Sequence, residues 1–235
     1  MMSSILFLGI LIGMRHAFEA DHVAAVASLV SKENSISNSI KQGAIWGLGH
    51  TLTLFIFGSI VILMDTKMPE RMALGLEFIV GIMLVILGID VIRRLLKDKV
   101  HFHTHRHDSG EEHFHAHSHK DKINHDPNEH RHDHKRPFPF RALLVGLMHG
   151  MAGSAALILL VLQTVKSPLT GLLYMLLFGF GSLIGMAVLS AIIAIPLQYT
   201  SRGLTWLHYG FHIAIGFTTI ILGSVLSYES RTFML

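Results

Sequence analysis

LIGMRHAFEADHVAAV (11–26) decides how this chain is read, because it sets Arg15, His16, Glu19, Asp21 and His22 inside an otherwise apolar run. A related stretch, LVGLMHGMAGSAALIL (144–159), recurs in the second half. Aligning Gly13 with Gly146 puts His16 on His149, Asp21 on Ser154 and His22 on Ala155. Ionisable side chains are costly in hydrocarbon, so groups placed this way face a bundle interior and serve a pathway. A duplicated segment with one chemically loaded half is the pattern of a transporter built from two related bundles.

Composition agrees. Of 235 residues, 51% are hydrophobic, and several apolar runs reach the length of about 20 needed to span a bilayer core. The spacing predicts an all-α polytopic membrane protein with six transmembrane helices at 3–30, 41–64, 72–96, 140–164, 168–196 and 203–227. The charges near the middle of the first helix predict a break there, since irregular backbone at depth survives where it lines a cavity. The first run lacks a basic leader and a small-residue cleavage site, so it reads as a span and not as a cleaved signal peptide. Without cysteine there are no disulfides and no thiolate ligands, so a metal would be held by nitrogen, oxygen or methionine sulfur. Met14, Met148 and Met151 could suggest a copper(I) path, although methionine at helical spacing is more often packing.

The repeat runs further along the chain. GLGHT (47–51) aligns with GFGSL (179–183), setting His50 opposite Ser182, and Gly81 and Gly88 match Gly216 and Gly223, setting Glu77 opposite His212. Three helices per half is an odd number, which gives two inverted three-helix repeats, 1–96 and 140–235, joined by the 97–139 loop. Lys32, Lys41, Arg93, Arg94, Lys97, Arg141 and Arg202 fall on the side of that loop, against Lys67, Arg71, Lys166 and Arg231 on the other. The positive-inside rule therefore predicts a cytoplasmic loop and termini outside a multi-pass cell-membrane protein.

Residues 101–134 hold twelve of the eighteen histidines and almost no apolar surface, so they are expected to be disordered and to bind divalent transition metals weakly. The intramembrane set is different. His16, Asp21, His22 and His50, with His149 from the second half, combine imidazoles with a carboxylate, a ligand set suited to a borderline divalent cation. On a regular helix His16, Glu19 and His22 share a stripe and Asp21 points elsewhere. Asp21 joins them only through a helix distortion or through a hydrogen bond to an imidazole from outside the ligand shell. Glu19, Glu77 and His212 are candidates for such outer positions or for a proton relay, and His208 for a packing histidine. Arg15 could counter Asp21 or Glu19, but its charge excludes a ligand role.

At these residues the chain resembles the nickel/cobalt permease family (NiCoT), in particular its shorter, UreH-like members associated with urease gene clusters. The resemblance lies in RHAFEADH (15–22), with its His-x4-Asp-His spacing, and in LGHT (48–51) on the next helix, and it covers the first half better than the second. It implies uptake of Ni²⁺ or Co²⁺ as transported substrate through His16, Asp21, His22 and His50. Expected partners are the lipid bilayer and the ion, with no nucleic acid and no resident cofactor. The His-rich loop is also reminiscent of a related efflux group, so export stays an alternative, as do an intramembrane metal sensor and a metalloenzyme. No Walker-type GxxxxGK[ST] and no HExxH motif occurs, which speaks against a built-in ATPase and a zinc protease.

Overall fold

Each long helix carries bulky apolar residues on one face and glycine, serine, threonine or histidine on the other, and this division organises the bundle. The computed structural model describes residues 2–33, 35–64, 69–97, 101–106, 112–117, 138–164, 167–201 and 204–234. Seven helices follow in order: α1 (Met2–His16), α2 (Ala20–Val30), α3 (Ile36–Leu63), α4 (Glu70–Lys97), α5 (Phe140–Thr164), α6 (Pro168–Ser201) and α7 (Thr205–Met234). Proline fixes two of the starts. Pro139 precedes α5 and Pro168 opens α6, positions where a missing N–H costs nothing.

Helices α3, α4, α6 and α7 are each long and apolar enough to cross a membrane, and Phe7–His16, Ala20–Val30 and Phe140–Ala152 add shorter apolar helices. Leu48, Leu52, Ile56 and Ile60 form an exposed stripe on α3, as do Ile79, Ile82, Ile86 and Ile89 on α4. Contiguous exposed apolar surface of this kind marks contact with a membrane. The architecture is that of a multi-pass helical membrane protein.

The inner faces meet through small residues. Helix α3 packs on α5 and α6, α1 on α6, and α4 on α7. A Cβ at Gly13 would collide with the backbone of Phe178 on α6, and one at Gly146 with the backbone of Trp46 on α3. Along α4 and α7, Gly81 lies on Gly223 and Gly88 on Gly216, so these two helices run antiparallel. Helices buried in lipid gain little from the hydrophobic effect against one another and depend on such close backbone approach.

The expected first helix, 3–30, is two helices. Phe18 N–H bonds to Arg15 O and Glu19 N–H to His16 O, tightening the last turn of α1, and Glu19 is extended (φ −65°, ψ 149°) before α2 begins. The last two helices run longer than expected, to Ser201 and Met234. Within the 97–139 segment, read from the sequence as structureless, His101–Arg106 and Glu112–His117 pair as antiparallel strands β1 and β2. Strict alternation of His with Phe, Thr and Ala has the two-residue period of a strand, which a purely compositional reading passes over. Residues 98–100, 107–111 and 118–137 of that segment lie outside the described residues. Where it rejoins the bundle, Asp90 on α4 pairs with Arg94 (3.1 Å) and with Arg141 of α5 (2.6 Å).

Candidate metal centre

The break between α1 and α2 turns what would be a narrow stripe into a cluster. His16 ends α1, and Asp21 and His22 open α2, so the backbone reverses its side-chain directions within three residues. Gly13 lets α1 lie against α6, which places the His16 ring 5.2 Å from Phe178. Gly146 and Gly150 let α5 lie against α3 at Trp46 and His50. Thr53 Oγ1, donating to Leu147 O at 2.9 Å, holds the same pair of helices together.

His22 stands in the middle. Its ring centroid is 4.3 Å from both His16 and His149 and 5.1 Å from His50. His22 and His149 are 1% exposed and His50 is fully buried, so their nitrogens are cut off from bulk solvent. Asp21 Oδ1 accepts from the His22 backbone N–H (2.9 Å) and from His22 Nδ1–H (2.8 Å), while Oδ2 accepts from His149 Nε2–H (3.0 Å). Glu19 Oε1 accepts from His16 Nδ1–H at 3.0 Å.

These carboxylates settle the tautomers, because an ionised carboxylate only accepts. With Nδ1 of His16 and of His22 donating, the lone pair of each neutral ring lies on Nε2. Both Nε2 atoms are buried and have no partner, as have both nitrogens of His50. A buried polar group without a partner is expensive, and three converging on one volume point to a species that fills it. His16, His22 and His50 form one possible ligand set and Asp21, His22 and His149 another, with the ligand atoms of each within 4.8 Å of one another. A zinc-like divalent ion sits about 2.0–2.1 Å from an imidazole nitrogen, so the 4.8 Å limit of either set is close to, but wider than, the spacing that would hold one.

All five residues expected at the site, His16, Asp21, His22, His50 and His149, are therefore together. Asp21 reaches the imidazoles by hydrogen bonding, and the carboxylate–histidine pairing it makes orients metal-binding rings in general. Glu19 takes the same outer position behind His16. Arg15 is exposed and takes no part in this network.

Glu77 and His212 are not at the site and do not face each other. Glu77 Oε2 accepts from Ser230 Oγ at 3.3 Å, and His212 contacts Ser31 O and His208 O, each at 2.9 Å. The reason is the antiparallel crossing of α4 and α7. It pairs Gly81 with Gly223, so residues that match in the alignment lie at opposite ends of the contact. Ser154 and Ala155 fall on a stretch of α5 whose side chains lie outside the described set.

One wall residue escaped the sequence reading. Trp46 packs its ring 5.4 Å from His22 and 5.5 Å from His149, with Nε1 buried and unpartnered. Its place one helical turn before His50 was the available signal.

Membrane-embedded helices around buried histidines with a half-buried carboxylate define the class: a multi-pass membrane protein with a polar site at the helix interfaces. The chain belongs to the family described as cytochrome C biogenesis protein transmembrane region, whose model matches residues 5–218. It is also 38% identical over 221 residues to the urease accessory protein UreH of Bacillus sp. (strain TB-90), covering 94% of this chain and 89% of that protein. No solved structure matches the chain.

Proposed function

We propose that the chain is a secondary permease of the nickel/cobalt type that carries Ni²⁺, and Co²⁺ less selectively, across the cytoplasmic membrane into the cell. The observation that carries this reading is the trio of buried, unpartnered imidazole nitrogens on His16, His22 and His50, backed by Asp21 at a helix break inside a membrane bundle. Imidazole suits Ni²⁺ and Co²⁺, and the half-buried Asp21 carboxylate offsets cationic charge beside the buried rings. The similarity to a urease accessory protein supports nickel as the cargo. A transporter, not an enzyme, is the reading that also accounts for the duplicated helices.

Two inverted three-helix repeats are part of this proposal, and the packing supports them. The contact of Gly13 with Phe178 and Ser182 has its counterpart in that of Gly146 with Trp46 and His50, and Gly49 on Leu143 matches Gly181 on Ile10. Exchanging the halves maps each contact onto the other. Transport then consists of shedding hydration water onto His and Asp ligands, followed by movement of one half against the other to expose the site on the opposite side. Entry of a divalent cation is drawn by the membrane potential, about 2.3 kcal/mol per charge per 100 mV. Basic residues such as Arg94, Lys97 and Arg141 support a cytoplasmic His-rich loop, where it would hold arriving metal.

That same loop is the observation favouring export, and direction is measurable. Proteoliposomes of known orientation, given ⁶³Ni²⁺ from either face with a potential of either sign, should load towards the His-loop side. Excess Co²⁺ should compete well, and Mn²⁺, which prefers oxygen ligands, poorly. Loading only away from that side would assign export.

A further inference from the structure

The five site residues do not form one shell. They fall into two sets of three that share only His22: His16, His22 and His50 on one side, and Asp21, His22 and His149 on the other. His22 is central to both, 4.3 Å from the His16 ring and 4.3 Å from the His149 ring, whereas His50 and His149 are 5.9 Å apart. The two nitrogens of His22 differ in what they meet. Nδ1 meets Asp21 Oδ1 at 2.8 Å, and the partnerless Nε2 is left for His16 and His50.

We propose that the transported ion passes through two overlapping three-ligand stations, His16–His22–His50 and Asp21–His22–His149, with His22 as the ligand common to both. The proposal rests on the permease reading and specifies how its site is used. A neutral imidazole has one lone pair. With that pair on Nε2, His22 serves the all-nitrogen station and its Nδ1–H stays on Asp21. With the pair on Nδ1, it serves the station that contains the carboxylate. The second arrangement also needs the lone pair of His149 on Nε2, which requires the proton now facing Asp21 to move to Nδ1, a buried atom without a partner. Each ring gives up one proton at one nitrogen and takes one at the other, relayed by hydration water that enters with the ion, so the exchange is neutral overall.

Two consequences follow. The stations exclude each other, so the protein holds one ion at a time. Handing the ion over also requires His22 to release it, because the ion-bearing Nε2 must take a proton before Nδ1 can coordinate. One station draws mainly on the first half, through His16 and His50, and the other takes His149 from the second half. Passing the ion from one to the other is thus a step that movement between the halves can drive.

The test is retention of ⁶³Ni²⁺ by the purified full chain in detergent after a wash with a chelator, which strips weakly held ions from the His-rich loop but not ions closed within the site. The unsubstituted protein should retain one ion per chain. His50→Gln and His149→Gln should each still retain one ion while their flux in proteoliposomes falls on the order of 100-fold. His22→Gln and the double variant His50→Gln/His149→Gln should retain none. X-ray absorption on the washed single variants guards against misfolding, with nitrogen-only protein ligands expected in His149→Gln and mixed nitrogen and carboxylate ligands in His50→Gln. Two ions per unsubstituted chain, or loss of retention in His50→Gln or His149→Gln as complete as in His22→Gln, would overturn the two-station scheme in favour of independent sites or one five-ligand site. No retention together with no flux in the unsubstituted protein would instead overturn the permease reading beneath it.

Discussion

The α1–α2–α3 region and the α5–α6 region share packing and differ in chemistry. Gly13 against α6 and Gly146 against α3 are the same contact made twice. Yet His16, Asp21, His22 and His50 stand in the first region, where the aligned residues of the second are His149, Ser154, Ala155 and Ser182. The backbone differs too, since the first region breaks at 17–19 while α5 runs unbroken from Phe140 to Thr164. A shared scaffold needs both copies of its glycines, because each holds one helix interface. Under the permease reading a single ion needs only one set of charge-bearing ligands, so the second region can lack them. The broken helix and the ligands belong together: without the extended Glu19, Asp21 would point away from His16 and His22.

Substitutions at the site should break this asymmetry most. His22→Ala removes the ring that every other ligand approaches, and Asp21→Ala removes the acceptor of both His22 and His149. Each should lower flux by on the order of 100-fold or more at unchanged membrane insertion, as measured by ⁶³Ni²⁺ uptake at equal protein. Uptake within a few-fold of normal in both would remove the first region's special status.

Substitutions at the glycines should act on both regions alike. Gly13→Leu and Gly146→Leu each drive a side chain into a facing backbone, a cost of about 1–3 kcal/mol for overpacking. Thermal unfolding in detergent should fall similarly for the two. A large effect in one and none in the other would mean that the two interfaces are not equivalent. The matched pair His50→Ala and Ser182→Ala sharpens the contrast, because both side chains are buried without hydrogen-bond partners. The first should stop transport, and the second should change stability by no more than about 0.5 kcal/mol and leave uptake intact.

Loop deletion should matter least. Removing 101–134 takes away twelve histidines but none of the repeat. Uptake should persist, with weaker metal retention at low supply. Complete loss of flux in a correctly inserted deletion variant would make the loop an obligatory station.

Much of this was legible in the sequence. The Gly13/Gly146 register matched His16 with His149, and the charges at 15–22 located the break, because a regular helix cannot hold them cheaply in hydrocarbon. What could not be read was lateral placement. Glu77 and His212 match in register, but an antiparallel crossing carries matched residues apart, which register alone does not reveal. Trp46 was passed over for a different reason: in an apolar helix a tryptophan alone has the same pattern whether it faces lipid or walls a site, and only its place one turn before His50 marks the face. The division of the five ligands around His22 depends on which nitrogen faces which oxygen, and only coordinates contain that.

The most direct measurement is ⁶³Ni²⁺ uptake into proteoliposomes holding the unsubstituted chain, His16→Ala, Asp21→Ala or His22→Ala at equal insertion, under a membrane potential of fixed sign. The account predicts potential-driven uptake by the unsubstituted chain, inhibited by Co²⁺, and none above empty vesicles for the three variants. Normal uptake by any two of the variants, or binding without flux in the unsubstituted chain, would contradict it.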